Sequence, residues 1–192
     1  MIFGKVRVCI DDTGNIGSMG TGDLAEILAK TVEERGIAKC SGITRHKLFV
    51  HSEIPYTSQN SSMCFVAELA ETKLGNLIRY ASEFVQLASA AGSDPGLCVA
   101  AFDKIPEPAK LMAFGLKAKY QVVAKMEAYS LAKAQGIHLS EHGGTGQGVI
   151  GALAGAGLRL IGNDGLFKGK LKLKLDDDSF SLRKPWPKPV SM

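Results

Sequence analysis

The sequence lacks most of the features that would assign it to a specialised class of protein. Its four cysteines, Cys9, Cys40, Cys64 and Cys98, are widely spaced, so no two of them form a CxxC metal motif. No uncharged apolar run is long enough to cross a bilayer, and the N-terminus lacks the basic start and the long apolar stretch of a signal peptide. We therefore predict a cytoplasmic protein with reduced cysteines and no membrane contact.

Strong charge of either sign is also absent. The formal net charge of +4 is too small to indicate nucleic-acid binding by itself. The hydrophobic content of 45% is ample for a core in a chain of 192 residues. Glycine, by contrast, is abundant: the 22 glycines fall mostly in two clusters, which indicates two specialised loops.

Apolar periodicity predicts an α/β protein in which strands and helices alternate. A first helix is expected to begin near Asp23, with that side chain as its cap. We expect mixed sheets with helices packed on them, in two small subdomains that divide near the turn at 92–96. The predicted strands are 5–10, 38–50, 62–69, 97–102, 137–140 and 171–175, and the later helices are 74–88, 108–135 and 149–156.

The strongest functional signal lies where the first strand ends in Asp11 and Asp12 and continues into the first glycine cluster. Two charges at the end of a buried strand are costly unless a cation neutralises them. Mg²⁺ binds few carboxylates together with phosphate oxygens and water, and a loop leading into a helix can hold phosphate on its N–H groups. The segment predicts a Mg²⁺–nucleotide site with Asp11 and Asp12 as metal-binding and catalytic residues. A strand-end turn, with one Asp bonded to backbone amides, is the alternative.

Both glycine clusters supply candidate residues for binding the nucleotide. The hydroxyl groups among them have local caps and turns as an alternative role. The segment Gly146–Gly151 matches the GxGxxG pattern, but no acid ends a clear second strand about twenty residues later, which favours a phosphate or ligand cradle over a dinucleotide site. The candidates are Thr13, Gly17, Ser18, Gly20, Thr21 and Gly22 in the first cluster, and Gly144, Gly146 and Gly148 in the second.

Three of these segments resemble a known family. Ile10–Thr13 with the following loop, Ile54–Tyr56, and Gly148–Ala154 resemble segments of archaeal isoleucine-tRNA agmatidine synthase. The resemblance implies a kinase-like nucleotide-binding portion over 1–92 and a ferredoxin-like portion over 93–192. It also implies ATP and Mg²⁺ as cofactors, since those enzymes use both to activate a cytosine and join agmatine to it.

The chain also departs from the family pattern. Gly14 replaces an acid, Thr57 and Gln59 replace basic residues, and Gln147 replaces an arginine. The family's OB-fold and zinc-ribbon modules have no counterpart in this sequence. The nucleotide end is thus partly kept while RNA-contacting charges are lost, so full agmatidine synthase activity is not expected.

The leading prediction is a Mg²⁺-dependent ATP-binding protein related to agmatidine synthase, with phosphoryl transfer to an unknown small-molecule acceptor as its reaction. One alternative is a non-catalytic ligand-binding or regulatory module. Another is an accessory protein of RNA modification, for which tRNA binding would need a partner. Whether the protein is an enzyme, and whether it forms a homo-oligomer, the sequence leaves open. The basic face available to an anionic partner would be Lys110, Lys117, Lys125 and Lys133.

Overall fold

The computed structural model describes residues 3–15, 17–54 and 59–169, and over these residues seven β-strands are interspersed with five α-helices. The predicted α/β class is thus confirmed. The strands are Phe3–Asp11 (β1), Lys39–Cys40 (β2), Thr44–Lys47 (β3), Ser61–Ala70 (β4), Gly96–Ala101 (β5), His138–Glu141 (β6) and Leu166–Phe167 (β7). The helices are Thr21–Glu34 (α1), Leu74–Ala88 (α2), Pro108–Tyr120 (α3), Lys125–Ala134 (α4) and Gly148–Ile161 (α5).

The strands form one sheet in the order β6-β5-β1-β4-β3-β7, with β2 beside β4. Neighbouring strands are antiparallel, in place of the expected mixture of directions. The elements β1-α1-β3-β4-α2-β5 follow a β-α-β-β-α-β order. The sheet takes strands from both predicted subdomains, and the division after residue 92 stays a prediction.

The sheet lies between two layers of helices because its side chains alternate between two buried faces. On β1, Val6, Val8 and Ile10 pack into one core with apolar residues of α1 and α2. The intervening Cys9 packs into a second core with residues of α3, α4 and α5. Both faces of the sheet are therefore covered, and only its ends are available for a binding site.

Helix α5 consists mainly of small residues because it is enclosed between the sheet and α3. A Cβ added at Gly155 would overlap Ser62 of β4, and one at Gly157 would overlap the backbone of Leu111 in α3. Apart from Arg159 in its last turn, the helix is apolar on every side, as buried helices are. Within the residues that the structure describes, no helix is both long and apolar enough to cross a membrane.

The cysteines are free thiols, and three of them are fully buried, as predicted. Cys9 on β1 lies directly opposite Cys64 of β4 and Cys98 of β5. Burial raises the pKa of Cys9 and Cys98 well above the ordinary value. Burial, with a smaller effect of Glu33, raises the pKa of Cys40 to about 12.

Two predicted elements are each divided in the structure. The prediction of a single strand over 38–50 is wrong, because β2 and β3 are separated by Ser41–Ile43, which belong to no strand. Gly42 packs there against the ring of Phe167, the Cβ position being 3.3 Å from the ring. The strand predicted over 171–175 lies outside the described residues.

The prediction of a single helix over 108–135 is also wrong. The helix stops at Tyr120, where the Gln121 N–H donates to the carbonyl of Lys117, and α4 starts at Lys125. Val122 and Val123 fall in the break, and such β-branched side chains are stiff and lower helix propensity. The predicted basic face is consequently split between two helices.

Candidate functional site

A cavity of about 1190 Å³ opens where β1 ends. It lies among loop 1 (residues 13–20), the start of β4, the connection between α3 and α4, and loop 2 (residues 142–147) with the first turn of α5. Pockets for one drug-sized ligand measure roughly 300–1,000 Å³, so this cavity is larger than a typical single-ligand pocket.

The structure brings most of the predicted site residues to this cavity. Those that line it are Asp11, Asp12, Gly17, Ser18, Gly20, Thr21, Gly22 and Gly148, whereas Thr13, Gly144 and Gly146 do not. Thr13, the first residue of loop 1, is buried, and its hydroxyl donates to the Thr21 Oγ1 at 3.1 Å. Gly144 and Gly146 have φ of 56° and 74° and pack against the carboxylates of Asp94 and Glu141.

The strand ends at Asp11, and Asp11 and Asp12 lie in different surroundings. Asp11 is buried, its Oδ1 accepts the Asp12 N–H at 2.9 Å, and its other oxygen packs against Gly151 of α5, where no Cβ would fit. Asp12 has φ of 50°, a left-handed conformation that Asp adopts more readily than most residues. Asp11 thus accepts a backbone hydrogen bond, as expected for the alternative interpretation of a strand-end turn. Asp12 still lines the cavity.

Neither carboxylate has a cationic partner among the described residues. Burial, with the neighbouring charge of Asp12, raises the pKa of Asp11 well above the ordinary value. Burial and then the charge of Asp94 raise the pKa of Asp12 to about 6. A cation bound here would favour both ionised carboxylates.

Asp94 lies next to this site, where its charge acts on Asp12, and the sequence analysis missed it. Its carboxylate accepts the Thr145 N–H and, at 2.9 Å, the Thr145 hydroxyl, which ties loop 2 to the turn before β5. In the sequence Asp94 stands in Gly-Ser-Asp-Pro-Gly, where turn formation explains it fully. Only the fold places it beside Asp12.

The carboxylates fit a metal that arrives with its ligand. No group of three or more His, Cys, Asp or Glu side chains able to hold a metal occurs in 3–15, 17–54 or 59–169. Mg²⁺ typically takes one or two carboxylates and completes its shell with water and substrate phosphates. Asp11 and Asp12 suit that arrangement, and a cage made of protein ligands alone is not formed.

Helix α1 begins at the cavity without a side-chain cap. Its N-cap is Gly20, and the predicted cap by Asp23 is wrong: that carboxylate instead binds the ammonium of Lys168, which also pairs with Glu26 at 2.7 Å. Thr21 and Gly22 line the cavity, and within the described residues their N–H groups have no hydrogen-bond partner. Free N–H groups at a helix start attract anions.

Ser18 has the local role that was the alternative for the hydroxyl groups of loop 1. Its Oγ accepts the Asn15 N–H at 2.7 Å and donates to the Asn15 carbonyl at 2.8 Å. The Asn15 side chain donates in turn to the carbonyl of Ala91. These bonds fix the conformation of loop 1 and attach it to the turn after α2.

Most lysines of the predicted basic face are paired with carboxylates. Lys110 and Lys117 contact Glu107 and Glu127, each at 2.7 Å. Lys125 lines the cavity, where it contacts Glu141 at 3.1 Å and donates to the Thr145 carbonyl. These pairs reduce the positive charge that the face would offer to an anionic partner.

No protein-family model and no curated protein matches the chain significantly. Solved structures do match. The crystal structure of a TiaS–tRNA(Ile2)–ATP complex has a TM-score of 0.68 and 28% identity, over 80% of this chain and 36% of that chain. A tRNA fluorescent labeling enzyme has a TM-score of 0.67 and 29% identity, with the same coverage of both chains.

A TiaS–tRNA(Ile2)–AMPCPP–agmatine complex gives a TM-score of 0.66 and 27% identity, again over 80% of this chain. The chain therefore spans little more than a third of the length of these proteins, 36% in each case. The resemblance predicted from the sequence is confirmed as a partial one: the described fold is similar to part of TiaS, the tRNA(Ile2) agmatidine synthetase.

Proposed function

We propose that this chain binds ATP with Mg²⁺ in the cavity at the end of β1 and transfers a phosphoryl group to a small-molecule acceptor. The observation that carries the proposal is that one cavity contains both an uncapped helix start and two carboxylates without a cationic partner in the described part of the chain. The similarity to TiaS structures that contain ATP or AMPCPP supports this choice of ligand.

In this proposal the two carboxylates have different roles. Asp12, at the open side of the cavity, binds Mg²⁺ directly, and buried Asp11 orients the metal through water. Gly17, Ser18 and Gly20 of loop 1, with the N–H groups of Thr21 and Gly22, hold phosphate oxygens. Phosphoryl transfer depends on such positioning and charge neutralisation and needs no nucleophile from the protein.

The second glycine cluster has a supporting role in the same proposal. Gly148 lines the cavity and Gly144 and Gly146 shape loop 2, which carries Thr145 against Asp94. Loop 2 and the start of β4 then frame the acceptor. Thr13 acts by holding Thr21 in place.

Calorimetric titration of AMPCPP with and without Mg²⁺ tests the proposal. We expect tight binding only with Mg²⁺, and a loss of at least about tenfold in affinity for Asp12→Asn and for Asp11→Asn, because each removes a charge facing the metal. Asp103→Asn, on an exposed carboxylate outside the cavity, is the matched control. If the affinity for AMPCPP is the same with and without Mg²⁺, and is unchanged in both Asp variants, the assignment is overturned.

Gly14 favours a second candidate, a module that binds the nucleotide without turnover. The resemblance places an acid at this position, but here loop 1 folds closely around it: a Cβ would lie 3.1 Å from the Met19 carbonyl and 3.3 Å from the Ser18 Oγ. Release of phosphate from ATP across a panel of acceptors that includes agmatine separates the two candidates. Binding without phosphate release in every assay identifies the non-catalytic module.

A further inference from the structure

We infer that Arg45 forms a subsite for an anionic group, a phosphate or a carboxylate, in the same cavity but apart from Asp11 and Asp12. The identity of the molecule that brings this group rests on the proposed function. The subsite itself follows from the placement, contacts and charge of one side chain.

The sheet register fixes where Arg45 lies. Arg45 of β3 and Ile10 of β1 are both opposite Met63 of β4, so Arg45 is level with the end of β1. Neighbouring strands are about 4.8 Å apart, which separates the Arg45 and Ile10 backbones by roughly 10 Å. Arg45 lines the same cavity as Asp11 and Asp12, from a strand two places away in the sheet.

The contacts of Arg45 hold the guanidinium without neutralising it. Its Nε donates to the Ser61 Oγ at 3.1 Å and its Nη2 donates to the Gln59 side-chain oxygen. Both partners are uncharged, and Ser61 is itself buried. The guanidinium has further N–H donors, and its planar fork suits the oxygens of a phosphate or carboxylate.

Arg45 is also the cavity cation that lacks a counter-charge in the described part of the chain. Lys125, at the opposite wall, contacts Glu141, and the nearby Lys168 contacts Asp23 and Glu26. Glu53, which also lines the cavity, is exposed, and its carboxylate lies 4.0 Å from the His51 ring. A partly buried charge without a counter-charge is unfavourable, and an anionic ligand removes that cost.

Two sources of the anionic group agree with this geometry. One is the terminal phosphate of the nucleotide, since Gly22 of α1 and Arg45 of β3 both approach Met63. The other is an anionic group on the acceptor, because the cavity is larger than a typical single-ligand pocket. The two sources predict different losses when the arginine is replaced.

Calorimetry with three probes tests the inference: inorganic phosphate on the ligand-free protein, ADP with Mg²⁺, and AMPCPP with Mg²⁺. For Arg45→Gln we expect phosphate binding to weaken about 10- to 100-fold, as for loss of a charge-assisted hydrogen bond. Loss of AMPCPP affinity with unchanged ADP affinity assigns the subsite to the terminal phosphate. Unchanged affinity for both nucleotides, with weaker phosphate binding, assigns it to the acceptor.

Arg79→Gln, on an exposed arginine of α2 outside the cavity, is the control. Arg45→Lys keeps the charge but not the fork, so we expect an intermediate loss, and this variant serves if Arg45→Gln fails to fold by circular dichroism. Wild-type affinity of Arg45→Gln for all three probes overturns the inference and leaves the nucleotide proposal intact. Phosphate binding that depends on Arg45, in a protein that binds neither nucleotide, supports the subsite and rejects the nucleotide proposal.

Discussion

Loop 1 and loop 2 are both rich in glycine and both lead into a helix, yet the first N–H groups of the two helices differ in their hydrogen bonding. At α5 the Gly148 N–H donates to the Asp94 carbonyl at 3.1 Å and the Val149 N–H donates to the Gly146 carbonyl at 3.5 Å. At α1 the N–H groups of Thr21 and Gly22 have no such partner within the described residues. Glycine content therefore does not identify an anion site; the number of N–H groups left free does.

The glycines themselves also differ between the two loops. A Cβ at Gly148 would overlap the Asp94 carbonyl and lie 2.7 Å from the Gly96 nitrogen, whereas at Gly20 it would only touch the Asp23 carboxylate at 3.7 Å. Glycine at 148 is required by packing between α5 and β5. At Gly20 no residue that the structure describes forbids a side chain, which agrees with the proposed close approach of a phosphate.

The largest expected effect separates these two glycines. Gly148→Ala forces the backbones of α5 and β5 apart, and we expect it to lower the free energy of unfolding by about 3 kcal/mol. Gly20→Ala replaces a favourable N-cap residue, so we expect a smaller loss of about 1 kcal/mol together with weaker nucleotide binding. Chemical denaturation measures the first quantity and calorimetry the second.

Gly75→Ala on α2, where an added Cβ meets nothing within 4 Å, controls for the intrinsic effect of replacing glycine in a helix. It should be neutral or stabilising by up to about 1 kcal/mol. Equal losses of stability in Gly148→Ala and Gly20→Ala would remove the distinction between the loops.

Removal of the tie on loop 2 should have the next largest effect. Asp94→Ala deletes the acceptor of both Thr145 hydrogen bonds, and we expect a loss of about 1–2 kcal/mol in unfolding free energy. Thr145→Val removes only the hydroxyl bond and should cost less. A wild-type denaturation midpoint for Asp94→Ala would show that loop 2 is held by other contacts.

Among the described residues, loop 1 is held to the start of α1 by a single side-chain hydrogen bond, between Thr13 and Thr21, so its removal should cost less. Thr13→Val keeps the shape of this buried side chain but removes its bond to Thr21, and we expect a loss of about 1 kcal/mol. Nucleotide affinity should fall as well, because Thr21 would no longer be held at the start of α1. Urea denaturation and calorimetry on the same preparation measure both effects, and unchanged affinity would indicate that Thr21 does not contact the ligand.

The smallest expected effect is on the pH dependence of stability. It comes from the carboxyl of Asp12, beside loop 1, and it depends on Asp94, which holds loop 2. The pKa of Asp12 in the folded protein is about 6, above the ordinary 3.8, so this carboxyl stabilises the fold at low pH and loses that contribution as pH rises through about 6. Asp94→Asn removes one cause of the raised pKa and should move the midpoint of this loss to lower pH. Denaturation of the ligand-free protein between about pH 4 and pH 7 measures the midpoint. A midpoint that stays in place would mean that Asp94 does not act on Asp12.

Local patterns predicted the elements that local physics decides. The strand expected over 62–69 occurs as Ser61–Ala70, and the helix expected over 74–88 is found with those bounds. Both are long and have a clear apolar period, which burial enforces. The pair Asp11–Asp12 was likewise visible, because two acids at the end of an apolar strand require an explanation.

The missed features depend on contacts between distant segments. Asp94 meets Thr145 across 51 positions, and His46 meets Asp164 across 118. Arg45 lay inside a predicted strand, and nothing in the neighbouring sequence distinguishes it from a basic residue that is simply exposed to solvent. The break between α3 and α4 was missed because alanine and lysine on both sides favour a helix, and two valines alone do not exclude one.

The arrangement of the thiols has a practical consequence for labelling. Cys9, Cys64 and Cys98 are enclosed under α5, and the raised pKa of Cys40 keeps its sulfur protonated at neutral pH, so none presents a nucleophilic thiolate to an alkylating dye. One cysteine introduced at exposed Met126, beside cavity-lining Lys125, would accept a fluorophore without removal of the native four. Ligand entry could then be followed by emission from a single defined position.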